Sequence, residues 1–229
     1  MVTVQRNRRT TREQSRDVML DLLERRGIRD RCVLAAMTYV PREPFIARED
    51  VLDAYADRPL AIGHGQTVSQ PYVVAVMLQA LQLQGNEHLL EIGTGSGYTA
   101  AVLSQLVAHV YTVERDPTLS SAARARLGAL GYDGINVTCR DGTLGWIEHA
   151  PYDAIVVTAG APEVPPALVD QLTVGGRLVM PVGSRDAQVL RLVIKTGEDT
   201  VVAKDLEAVA FVPLVGAQGF PEADRLDSE

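Results

Sequence analysis

Two short stretches hold residues whose types and spacing bear on chemistry: "GHGQTVSQPY" at residues 63–72 and "LLEIGTGSGY" at residues 89–98. The first sets Ser69 just before Pro71 and an apolar run, without the base partner that a hydrolase nucleophile needs. On its own, a serine before a proline-started helix is an N-cap pattern. In the second, Gly93, Gly95 and Gly97 let the backbone turn tightly and approach a ligand closely. The electropositive start of the helix behind them favours a polar ligand. The spacing is G-x-G-x-G with Tyr98 in sixth place, so it departs from the G-x-G-x-x-G of a dinucleotide fingerprint. Glu114, at the end of the next strand, is placed to accept hydrogen bonds from two ribose hydroxyls, a position that suits NAD equally well. Asp141-Gly142 ends a third strand at the same carboxyl edge, where an acid and bare backbone suit an adenine ring, although an isolated Asp-Gly is also an ordinary turn.

These residues need a scaffold, and the sequence supplies one. From His88 onward, "HLLEIG", "HVYTVE", "INVTCRDG", "YDAIVVTAG" and "RLVMPVG" read as strands, separated by helical segments such as "GYTAAVLSQLV", "SSAARARLGAL" and "PPALVDQL". That alternation predicts an α/β fold with a doubly wound, Rossmann-like sheet. The tail "QVLRLVIKTGEDTVVAKDL" reads as two strands around a Thr-Gly-Glu-Asp turn, which makes the sheet mixed, with an antiparallel edge pair. Upstream lies an N-terminal helical extension: one helix from Thr11 that stops at Gly27, and a second around "DRCVLAAMTYV" that ends before Pro41. Residues 41–71, rich in Pro and Gly and without clear periodicity, form a long ordered loop or a functional segment.

Composition limits the function classes. A chain of 229 residues with 46% hydrophobic and 22% charged residues reads as one soluble globular domain. The apolar runs are too short to span a bilayer, and the arginine-rich start lacks a signal peptide's apolar segment, so a cytoplasmic, membrane-free protein is expected. A net charge of -7 argues against a phosphate-binding surface and hence against nucleic acid. The first sixteen residues nonetheless carry five arginines against one acid, an arm read as a frayed, solvated terminus. Cys32 and Cys139, far apart, are read as small core residues rather than zinc ligands or a disulfide, and His64, His88, His109 and His149 are too scattered for a metal site.

"LLEIGTGSGY", "VERD", "RDG" and "YDAIVVTAGAPEVPPALVDQLTVGGRLVMPVG" together resemble the motif series of class I S-adenosylmethionine-dependent methyltransferases. "VPREPFI" (40–46), "YADRPLAIGHGQTVSQPYVVAVM" (55–77) and "FVPLVG" (211–216) narrow the resemblance to the protein-L-isoaspartate O-methyltransferase family, from about Gly27 to Gly216. The resemblance implies S-adenosylmethionine as cofactor, and methyl transfer to the carboxylate of L-isoaspartyl residues in damaged proteins or peptides. The ester then collapses to a succinimide whose hydrolysis partly restores aspartate. It implies Ser69 as the active-site residue, with the cofactor held by Gln66, Thr67, Ser69, Glu91, Gly93, Thr94, Gly95, Glu114, Arg115, Asp141, Gly142 and Thr158. A carboxylate acceptor with a pKa near ~4 is already ionised, which explains a serine with no base beside it. His64, Val74 and Val215 depart from the residues that many or some relatives carry there.

The expected organisation is a single, monomeric domain over residues 1–229, with helices and a substrate loop at 11–75, a cofactor-binding core at 76–216 and a tail at 217–229. Two rival readings are a methyltransferase of the same fold acting on aspartate in a dedicated biosynthetic peptide, and a nucleotide-binding regulator without catalysis. The intact "GQTVSQPY" weighs against the second.

Overall fold

A computed structural model describes residues 2–222, with side chains described from Gln14 onward. Helix α1 covers Val2–Arg25 and α2 covers Arg31–Tyr39. The first helix therefore begins at Val2 rather than Thr11. No Gly or Pro interrupts residues 2–25, and the arm expected to fray continues the helical backbone, its side chains up to residue 13 lying outside the described residues. Asp30 caps α2 by accepting from the N–H groups of Cys32 (2.9 Å) and Val33 (3.1 Å).

The stretch read as a loop is more ordered than its composition suggests. Two 3₁₀ turns at Glu43–Phe45 and Arg48–Asp53 lead into a small antiparallel hairpin, β1 (Leu60–Gly63) and β2 (Gln66–Val68). Its two-residue tip, His64-Gly65, has φ of 53° and 68°, the positive pair that matches a turn to the twist of the flanking strands. Helix α3 (Pro71–Leu81) follows, opened by its proline and closed by Gln82 at φ 53°.

From there strands and helices alternate: β3 (His88–Ile92), α4 (Tyr98–Leu103), β4 (His109–Glu114), α5 (Pro117–Ala129), β5 (Ile135–Cys139), β6 (Tyr152–Val157), the short α6 (Pro166–Asp170), β7 (Leu172–Gly183), β8 (Gln188–Gly197) and β9 (Thr200–Val209). The seven-stranded sheet runs in the order β5-β4-β3-β6-β7-β8-β9. Pairing is parallel from β5 through β7 and antiparallel for β7-β8 and β8-β9, as expected for a mixed sheet with an antiparallel edge. Buried parallel strands read as continuous apolar runs because both faces are covered. In β3, Leu89 joins the core on one face, while Leu90 and Ile92 join the core on the other. The chain enters the sheet at β3, winds outward to β5, then returns to lay β6 on the opposite side of β3. That reversal opens a crevice at the carboxyl ends of the strands.

The cysteines are not core residues. Both are exposed free thiols, because Cys32 lies in the first turn of α2 and Cys139 ends the edge strand β5. Of the expected tail, residues 223–229 lie outside the described residues, whereas Gly216 and Phe220 close a turn through Gly216 N–H to Phe220 O at 3.2 Å.

Candidate active site

The crevice holds a cleft of about 250 Å³. Its floor is the turn after β3. Gly93 and Gly95 have φ of 96° and 54°, and a Cβ on Gly93 would lie 2.5 Å from Thr158 Oγ1, so only glycine fits there. Thr158, just past β6, locks that approach by donating its hydroxyl to Gly93 O at 2.8 Å. On the β4 side, Glu114 accepts from Gly95 N–H (2.9 Å) through one oxygen and from Asp116 N–H (3.0 Å) through the other. A carboxylate has about four acceptor sites, so Glu114 keeps capacity for two hydroxyls of a ligand.

Of the residues expected at a cofactor, Gln66, Thr67, Gly93, Gly95, Glu114, Arg115, Gly142 and Thr158 line this cleft. Glu91, Thr94 and Asp141 stand behind the lining. Thr112 donates to Glu91 Oε2 at 2.6 Å and shares a 2.6 Å hydrogen bond with Thr94, a buried relay beneath the glycine turn. Asp141 accepts from Thr143 N–H, the Thr143 hydroxyl and Ala217 N–H at 2.7–2.9 Å, tying the turn after Gly216 to the end of β5. Burial works to raise the Asp141 pKa, yet these donors hold the carboxyl below the usual carboxylate range. The segment Val212–Val215, within the "FVPLVG" stretch that the resemblance singled out, lines the cleft as well.

Glu91 is fully buried, and its Oε1 has no hydrogen-bond partner among the described residues. Burial pushes its carboxyl up to about 8, against the opposing Thr112 hydroxyl, so it is a neutral acid at pH 7. Between the unfolded value of 4.5 and the folded value near 8, the folded chain binds the extra proton. The stabilisation is complete below 4.5 and drains away as pH rises through 8. Urea unfolding from pH 5 to 8 should therefore show a loss on the order of 1 kcal/mol per pH unit that Glu91→Gln abolishes. Parallel pH slopes in the two proteins would rule the buried neutral acid out.

Beside the cleft lies a second groove of about 440 Å³, walled by Ser69, Gln70 and Tyr72 on one side and by Glu207 to Phe211 on the other. Thr67 borders both cavities, so the two adjoin at this residue. Ser69 opens on the groove, and its hydroxyl has no hydrogen-bond partner among the described residues. It does not cap α3. The N-cap position is Gln70, with no side-chain cap bond, and Tyr72 N–H in the first turn donates instead to Asp57 Oδ1 at 3.0 Å.

Asp57 also pairs with Arg26 at 2.7 Å and accepts from Gln70 Nε2 at 2.9 Å. The Ser69 carbonyl, meanwhile, accepts from Nη2 of the fully buried Arg42 at 2.7 Å. Arg42 donates through Nε to Ala54 O at 2.8 Å and lies 4.6 Å over the Tyr98 ring, linking the serine loop to the glycine-turn helix. Sequence reasoning missed Arg42 and Asp57 as supports. Their only signal was membership of "VPREPFI" and "YADRPL", because contacts across such separations leave no periodicity.

Comparison with known proteins agrees with this geometry. Residues 13–219 match the family model described as Protein-L-isoaspartate(D-aspartate) O-methyltransferase (PCMT). The chain is 56% identical over 210 residues to protein-L-isoaspartate O-methyltransferase 2 of Pelobacter propionicus, covering 91% of this chain and 93% of that one. It is 52% identical over 196 residues to the protein-L-isoaspartate O-methyltransferase of Protochlamydia amoebophila, covering 85% and 93%. Among solved structures, a protein-L-isoaspartate O-methyltransferase superposes with a TM-score of 0.81 at 29% identity, over 89% of this chain and 67% of that one. A Plasmodium falciparum protein described as a putative protein-L-isoaspartate O-methyltransferase, in complex with S-adenosyl-L-homocysteine, superposes with a TM-score of 0.75 at 28% identity, over 86% and 97%.

Proposed function

The chain belongs to the protein-L-isoaspartate(D-aspartate) O-methyltransferase family, and from that premise we propose how its own residues perform the reaction. It is an S-adenosylmethionine-dependent enzyme that methylates the carboxylate of L-isoaspartyl residues in proteins and peptides. The cleft fits the cofactor. The glycine turn leaves backbone exposed at the crevice, and Glu114 retains acceptor sites for ribose hydroxyls. When bound, S-adenosylmethionine supplies an electrophilic sulfonium methyl.

Glu114 would hold the ribose, the glycine turn would cradle the methionyl part, and Gly142 would leave room for the adenine. Ser69 donates its free hydroxyl to the acceptor carboxylate where the groove meets the cleft at Thr67. The bound donor would pass its methyl to the carboxylate oxygen and keep the sulfur–carbon bonding pair as a neutral thioether. No proton moves, so no base is required. The protein's contribution is alignment and exclusion of water. The single observation that supports this reading most is the Ser69 hydroxyl, without a hydrogen-bond partner among the described residues, in the groove that shares Thr67 with the cleft.

Labelled methyl transfer to an isoaspartyl peptide tests the assignment, with Ser69→Ala as its sharper arm. We expect kcat to fall at least about tenfold, the scale of one hydrogen bond to a charged group, with the melting temperature and S-adenosylhomocysteine affinity nearly unchanged. A helix cap would behave oppositely, costing about 1 kcal/mol of stability and sparing turnover. Full activity in a destabilised variant would return Ser69 to a structural role. A cytoplasmic location belongs to the same proposal, supported by two exposed free thiols that suit a reducing compartment. No described helix is long and apolar enough to cross a membrane.

A further inference from the structure

The β1-β2 hairpin forms part of one wall of the cofactor cleft through Gln66 and Thr67, while Glu114, Arg115, Asp116 and Pro117 form part of another. One side-chain contact joins the hairpin tip to that second wall: His64 Nδ1 lies 2.9 Å from Asp116 Oδ2. Asp116 is well anchored for the purpose. Its other oxygen caps α5, accepting from Thr118 N–H (2.8 Å) and Leu119 N–H (3.0 Å), so only Oδ2 faces the hairpin. The base of the ribbon is anchored by buried Leu60 and Val68, which leaves the exposed tip, His64-Gly65, as the part this contact holds.

We infer that His64 is a positioning residue, a latch that pins the hairpin across the cleft and sets how long the cofactor or its demethylated product stays bound. The inference rests on the cofactor reading above and adds a residue that no part of the methyl-transfer chemistry requires. On this proposal the cleft exchanges its occupant as the hairpin tip lifts, a motion that breaks the imidazole–carboxylate contact. The pair is partly exposed, His64 at 43% and Asp116 at 28% of their side chains, so it contributes modestly and speeds or slows exchange by a few-fold.

The backbone at His64 chooses the variants. At φ 53°, glycine removes the side chain without strain, whereas asparagine tolerates the same conformation and presents an N–H at nearly the reach of Nδ1. The dissociation rate of S-adenosylhomocysteine, followed by rapid mixing with the whole chain, should rise about threefold to fivefold in His64→Gly and return toward the parent rate in His64→Asn. Asp116→Asn retains a capping oxygen but loses the charge; it should reproduce the His64→Gly rate, and the double variant should be no faster than either single one. Melting temperatures of the unliganded proteins should agree closely. An unchanged rate in His64→Gly, no rescue by His64→Asn, or additive effects in the double variant would overturn the latch while leaving the cofactor assignment standing. A parent protein that binds no S-adenosylhomocysteine would overturn both.

Discussion

A short peptide carrying L-isoaspartate will be methylated at least about a hundredfold more efficiently than its aspartyl twin. The two differ by one methylene moved from side chain to backbone, which leaves the isoaspartyl α-carboxylate close to the main chain. In the proposed reading the acceptor reaches the junction at Thr67 from the groove lined by Ser69 and Tyr72. Arg42 fixes the Ser69 carbonyl at 2.7 Å and Asp57 fixes Tyr72 N–H at 3.0 Å, so this side of the groove cannot follow a displaced carboxylate. Misplacement near ~1 Å from in-line geometry costs on the order of a hundredfold in rate. Paired peptides and labelled methyl incorporation give kcat/KM for each. Equal values would remove the repair reading, and activity confined to an aspartyl precursor peptide would promote the biosynthetic rival.

Glu114→Ala should produce the other large effect, a loss of S-adenosylhomocysteine affinity of about fivefold to more than a hundredfold, or roughly 1–3 kcal/mol. The carboxylate does two jobs. It accepts from Gly95 N–H and Asp116 N–H, holding the glycine turn and the start of the α5 cap in register, and in the proposed reading its remaining acceptor sites take the ribose. Alanine leaves two backbone donors without their acceptor and the ligand without its own. Glu114→Gln keeps one oxygen and should fall between. Calorimetry on the three proteins, with NAD as the control ligand, decides the matter. Parent-like affinity in the alanine variant, or tight binding of NAD alone, would end the ribose assignment.

The residues that were legible in the sequence are those whose role is local. "LLEI" and "AIVV" read as strands because a parallel strand buried on both faces is largely apolar, Glu91 being the buried exception. Gly93 could be placed because its backbone angle and the approach of Thr158 exclude other residues, and Gly95 because glycine adopts its positive φ without strain. The β1-β2 hairpin was not legible, since a three-residue β2 is too short for alternation to register and its turn is carried by a histidine at positive φ. Nor was the capping of α3 by Asp57, a contact set by packing rather than by spacing. Glu91 illustrates a subtler limit. Sequence places an acid ahead of the glycine turn, but only the fold shows that Thr112 stands beside it and that it faces away from the cleft.

The two cavities draw on unequal parts of the sheet. The cleft is built on β3 and β4, interior strands bonded on both sides, whereas the groove leans on Ala208 and Val209 at the end of β9, the outermost strand. Opening free energies differ along such a sheet, smallest where a strand has one neighbour and approaching the global value at the centre. Amides of β9 will exchange with solvent in fluctuations that never reach β3. The wall that receives an arriving chain can thus breathe to admit damaged segments of differing contour, while the strands beneath the methyl donor hold their register through every such excursion.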